Sequence, residues 1–152
     1  MLEKNILAYH YPLITGIQGV KKFAPRVLTT AMLPCIVLFA DALTTVDRPG
    51  GMTVKTRDLR AVIFVDLLGM GSENGPYEKT DPFFDSVDTY FEARPTLALQ
   101  AGTTTLNHEY MGDDGESLTP YPTGGTTLGD FWTITFKHRF TIVKPVIYEP
   151  GA

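Results

Sequence analysis

Hydrophobic and polar residues alternate without a break through DFWTITFKHRFTIV, Asp130–Val143. Trp132, Ile134, Phe136, His138, Phe140 and Ile142 take the even positions, and Thr133, Thr135, Lys137, Arg139 and Thr141 the odd ones. That period of two predicts a half-buried β-strand with one apolar and one polar face. At ~3.3 Å per residue it would run roughly 43 Å, against a radius of gyration of about 15 Å for a compact chain of this length. The strand must therefore bend, bulge or project beyond the body. His138, between Phe136 and Phe140 on the apolar face, reads as a buried neutral imidazole that needs a hydrogen-bond partner.

The rest of the chain is punctuated by prolines and glycines. Leu2, Ile6, Tyr9 and Leu13 recur at helical spacing and predict a short amphipathic helix to about Tyr11, ended or kinked by Pro12. Gly16 and Gly19 loosen the link to a short strand over Val20–Ala24, and Pro25–Met32 reads as an irregular connection. The apolar run Leu33–Ala40 predicts an interior strand, Asp47–Gly51 a turn, and Met52–Leu68 a second long strand. Gly69–Tyr77 reads as a flexible loop. Asp81 and Pro82 suit the N-cap and first residue of a helix in which Phe83, Val87 and Phe91 form the core stripe, with Phe84 or Tyr90 at its edge. Arg94-Pro95 stops it, Leu97–Gln100 and Thr103–Tyr110 are β-prone, and the polar, glycine-rich Met111–Gly129 reads as a flexible loop. The order predicts an α+β fold in a single domain: one principal helix across a mostly antiparallel sheet, plus a short N-terminal helix.

Composition narrows the function classes. The 152 residues are 43% hydrophobic, enough to bury a core. A net charge of −4 leaves no basic footprint for binding a nucleic-acid backbone. Cys35 is alone and sits in an apolar run, so it reads as an inert buried thiol. Neither a targeting segment nor a run long enough to span a bilayer is evident, and the expectation is a protein made and kept in the cytoplasm without a membrane partner.

The candidate chemistry is sparse. His10, His108 and His138 are scattered, with no metal-type pairing at short spacing. Asp113, Asp114 and Glu116 in GDDGES lack the spacing of a calcium loop, and neither GMGSENG nor GGTTLG carries a phosphate-loop lysine. Ser72, Ser86 and Ser117 stand outside any nucleophile-elbow context. No catalytic, cofactor or metal site is expected.

The succession GVKKFAPRVLTTAMLPCIVLFADA, RDLRAVIFVDLLGMG, DPFFDSVDTYFEARPTL and GTTLGDFWTITFKHRFTIV resembles the tail-terminator, or tail-completion, and related head–tail joining proteins of long-tailed bacteriophages. The resemblance spans most of residues 19–143 and lies in the order of elements rather than in a diagnostic motif. It implies a non-enzymatic virion protein assembled in the host cytoplasm. Its subunits would form a ring, usually a hexamer, that caps the tail tube protein and faces the head–tail connector protein, while DNA passes through the lumen without specific binding. Two other classes stay open. One is another virion part, such as a stopper or tube subunit. The other is a small enzyme or ligand-binding domain with a pocket between Asp81–Arg94 and the sheet, lined by His138 or Tyr110. Within the loop Met111–Gly129 and beside it, Tyr110, Met111, Leu118, Tyr121 and Leu128 supply apolar area for an assembly interface.

Overall fold

The alternating stretch forms the centre of a sheet. In the computed structural model, which describes residues 2–17, 19–22, 26–47, 49–65, 77–94, 97–101, 104–124 and 127–145, it lies within strand β7, Thr127–Pro145. Around it are β1 (Lys21–Lys22), β2 (Cys35–Ala40), β3 (Thr44–Asp47), β4 (Met52–Val65), β5 (Ala98–Ala101) and β6 (Thr104–Gly124). Helices α1 (Leu2–His10) and α2 (Tyr77–Glu92) complete an α+β fold. The sheet order is β1-β2-β4-β7-β6-β5, with β3 also on β4. β1 joins β2 in parallel; the other described pairs are antiparallel.

Strand alternation sends side chains to two cores. Leu59, Ala61, Ile63 and Val65 of β4, Ile36 of β2, and Ile134, Phe136 and Phe140 of β7 face the helices, where Leu7, Tyr11, Ile14, Val87 and Phe91 cover them. The intervening residues Val62, Phe64, Cys35, Val37 and Phe131 face the other way and pack with Leu28, Met32 and Leu33. Phe131 and Thr133 are thus buried on the side of β7 that the alternation marks as wet. The segment 26–33, expected only as a connection, closes that second core.

Several boundaries differ from the sequence reading for identifiable reasons. α1 turns Leu7 inward, followed by Tyr11 and Ile14, and of the expected stripe only Ile6 packs on the core while Leu2, Tyr9 and Leu13 are exposed. α2 begins at Tyr77 and encloses Pro82, so Asp81 is not its cap. Thr80 anchors that first turn by donating its hydroxyl to Glu116. On α2, Val87 and Phe91 are fully buried whereas Phe83 and Phe84 are half-buried. β3 was unanticipated. The expected loop at 69–77 lies outside the described residues except for Tyr77, the first residue of α2.

The largest difference is Met111–Gly129, which is paired β structure rather than loop. β6 runs through it to Gly124 and pairs with β7 as one long hairpin. Register shifts at Tyr110/Gly112 and Asp113/Glu116 mark bulges, with Gly112 at φ 89° and Gly115 at φ 84°, angles that suit glycine. Pro120 and Pro122 are tolerated because no strand pairs with the outer edge of β6 there among the described residues. β4 keeps an unshifted register with β7, so β7 runs straight while β6 absorbs the irregularity.

Candidate functional site

Two features stand apart from ordinary packing: the end of the β6–β7 hairpin and a buried chain of polar rings. Among the described residues β4 ends at Val65, opposite Trp132, and β6 and β7 go on pairing beyond that point. One face of this arm is backed. Tyr121 sits edge-on to Phe64 at 5.1 Å between ring centroids, and the Leu28 N–H donates to the Pro122 carbonyl at 2.8 Å. The other face carries Leu118 opposite Trp132, Pro120 opposite Asp130, and Pro122 opposite Leu128. α2 reaches this face at Glu116, which accepts from Thr80 and from Trp132 Nε1. Beyond it, Leu118 is 50% exposed and Leu128 is 62% exposed.

The five residues singled out from sequence therefore separate. Met111, Leu118 and Leu128 are exposed on the hairpin. Tyr121 belongs to the second core. Tyr110 turns under α2, stacks on Phe91 at 5.1 Å and donates to the Asp88 carboxylate, so it supports the hairpin's base instead of its free surface.

Under α2 the hydroxyl of Tyr11 lies 2.6 Å from His138 Nε2, and His138 Nδ1 lies 2.8 Å from His108 Nε2. The edge of Phe91 meets the His138 ring at 4.7 Å. With Tyr11 donating, His138 donates from Nδ1 and His108 accepts at Nε2, which leaves the His108 Nδ1 proton without a partner among the described residues. Burial, reinforced by the charge of His10, lowers the pKa of His108 to about 4. Burial and then His108 hold His138 well below the usual histidine value. Burial raises the Tyr11 pKa, with Tyr110 and Asp88 adding to it. Both imidazoles are neutral at pH 7 and sealed from solvent, as expected for His138. Sequence reading missed that His108 is its neighbour, because Tyr110↔His138 and His108↔Phe140 pair only once residues 104–124 form a strand.

A cleft of about 530 Å³ lies on the other side of α2, between Leu13–Gly16 and Asp85, Ser86, Thr89, Tyr90 and Arg94. Neither His138 nor Tyr110 lines it. Gly16 makes the close approach possible, since a Cβ there would stand 1.5 Å from Ser86 Oγ. No cluster of three or more His, Cys, Asp or Glu suited to a metal occurs among the described residues. No described helix is long and apolar enough to cross a membrane. The sequence matches no family model and no curated protein.

Proposed function

We propose that the protein is a structural subunit of a long-tailed phage virion, a tail terminator whose copies form a ring between the tail tube and the head connector. The observation that carries this reading is the end of the β6–β7 hairpin, the arm, where Leu118 and Leu128 stand exposed on paired strands. Exposed leucines on a paired hairpin are withdrawn from water by contact with another molecule, which is the use an assembling subunit has for them. The two cores on either side of the sheet hold the arm in place. The order of elements quoted above points the same way.

The test is to replace Leu118–Leu128 with a two-residue Asn-Gly turn, confirm folding by circular dichroism, and measure both oligomer mass and the yield of infectious particles. Loss of either with the fold intact supports the reading; normal assembly and normal yield contradict it. The cleft beside Arg94 favours a second reading, a ligand-binding domain, because Arg94 lies over the Tyr90 ring at 4.1 Å with Asp85 also lining the cleft. Under that reading Arg94→Ala removes function while the shortened arm leaves it intact.

A further inference from the structure

The cleft beside α2 carries two opposite charges that are not paired within the chain. Along the helix its lining runs from Asp85 to Arg94, and neither residue forms an ion pair among the described residues. They do not meet each other because α2 spaces them. The guanidinium folds back over the Tyr90 ring, and at ~1.5 Å of rise per residue Tyr90 lies about 7 Å along the axis from Asp85.

Arg94 is exposed yet held in place. Its guanidinium carbon lies 4.1 Å from the Tyr90 ring centroid, and Nη1 donates to the Tyr90 carbonyl at 3.2 Å. Tyr90 is fixed in turn: its hydroxyl is bonded to His10 Nδ1 at 2.7 Å, and its ring meets Phe91 edge-on at 5.1 Å. Burial and then the charge of Arg94 lower the His10 pKa, so the imidazole is neutral at pH 7 and Arg94 is the one cation of the lining. A guanidinium held on one face and at one nitrogen keeps its other N–H donors in a fixed fork, which suits a carboxylate taken through two parallel bonds. Between the two charges the walls are mixed. Leu13, 53% exposed, and Ala93 are apolar, while Thr15 and Thr89 add hydroxyls. The approach of Gly16 to Ser86 brings the walls together, and the enclosed volume of about 530 Å³ is that of a small-molecule site.

We infer that the cleft binds a short extended peptide by its two free ends, with the carboxylate on Arg94, the ammonium on Asp85, and an apolar side chain between them against Leu13 and Ala93. The spacing sets the length. An extended chain covers ~3.3–3.6 Å per residue, so about three residues span the separation of the two charges. The opposed charges also set the selectivity, because a ligand with one sign at both ends puts a like charge against Arg94 or against Asp85. This site rests on the ligand-binding reading of the cleft and is independent of the ring.

Isothermal titration calorimetry with the tripeptide Gly-Leu-Gly and its N-acetylated and C-amidated forms tests this. The free peptide binds, and blocking either end weakens binding about tenfold or more, as loss of one charge-assisted contact requires. Arg94→Gln weakens the free peptide by a similar factor and makes binding indifferent to amidation. Asp85→Asn does the same for acetylation. Both side chains are exposed, so each variant keeps the wild-type circular dichroism. Capped forms that bind as tightly as the free peptide, or variants that keep the wild-type dependence on both ends, overturn the end pairing and leave the cleft a ligand site. The capped forms need no variant, so a variant that fails to fold leaves that arm of the test decisive. Absence of binding by all three peptides removes the peptide site, while the ligand reading itself is judged separately, by whether Arg94→Ala removes function.

Discussion

The Tyr11–His138–His108 chain makes folding stability depend on pH in a window where carboxylates contribute little. Free histidine titrates near pH 6.5, whereas His108 is held to about 4 and His138 well below the usual value. Below pH 6.5 the unfolded chain takes up protons that the folded chain refuses. The stability from the neutral imidazoles is therefore complete above that pH and is lost as pH falls toward the folded values. Between about pH 6.5 and 5 an imidazole held neutral loses on the order of 1–2 kcal/mol, so the hydrogen-bonded pair loses a few kcal/mol of a total on the order of 5–15. Urea unfolding followed by circular dichroism at about pH 8, 6.5 and 5 measures this directly. The control is Tyr11→Phe/His108→Leu/His138→Phe, which replaces every partner with an apolar group and leaves no buried orphan. Its stability changes little at pH 8, and its loss between 6.5 and 5 disappears. A flat wild-type profile over that interval, or an equal slope in the control, refutes the assignment of neutral buried histidines.

Phe91→Ala should cost about 3–5 kcal/mol in the same unfolding assay, because Phe91 is fully buried among Tyr11, Tyr110 and His138. Half-buried Phe83→Ala should cost clearly less, and equal costs would put the helix face wrong. Gly16→Ala should lower the melting temperature because its Cβ would overlap Ser86, and Ser86→Gly in the same chain should recover part of the loss; no recovery would mean that the overlap is not the cause. Cys35, with its thiol pKa raised to about 11 by burial, should resist alkylation at pH 8 when folded and react fully in urea. Rapid labelling of the native protein would show that the second core is open.

The sequence made the regular elements legible and hid the surfaces. β7, β4 and β2 were readable because their alternation or apolar runs are uninterrupted, and the buried state of His138 followed from its place between two phenylalanines. β6 was not readable. Its bulges at Gly112 and Gly115 shift the period, and Pro120 and Pro122 are strand-breaking signals that lose their force on an edge that no described strand pairs. α1 misled in a different way: Leu2, Ile6, Tyr9 and Leu13 form a valid amphipathic stripe, but Leu7, Tyr11 and Ile14 form another, and only packing against β2, β4 and α2 chooses between them. The five residues expected at an assembly interface separate for the same reason. Met111, Leu118 and Leu128 are exposed as expected, while Tyr110 and Tyr121 were claimed by the two cores once the apparent loop became a strand pair.

The ring is the central claim, and the mass and shape of the purified protein test it most directly. Sedimentation velocity together with negative-stain images should show closed rings of one size, about six chains each, since a heterologous contact that closes gives a single finite species. Single chains at all concentrations, isologous dimers that grow no further, or open tubes of indefinite length would each contradict the account.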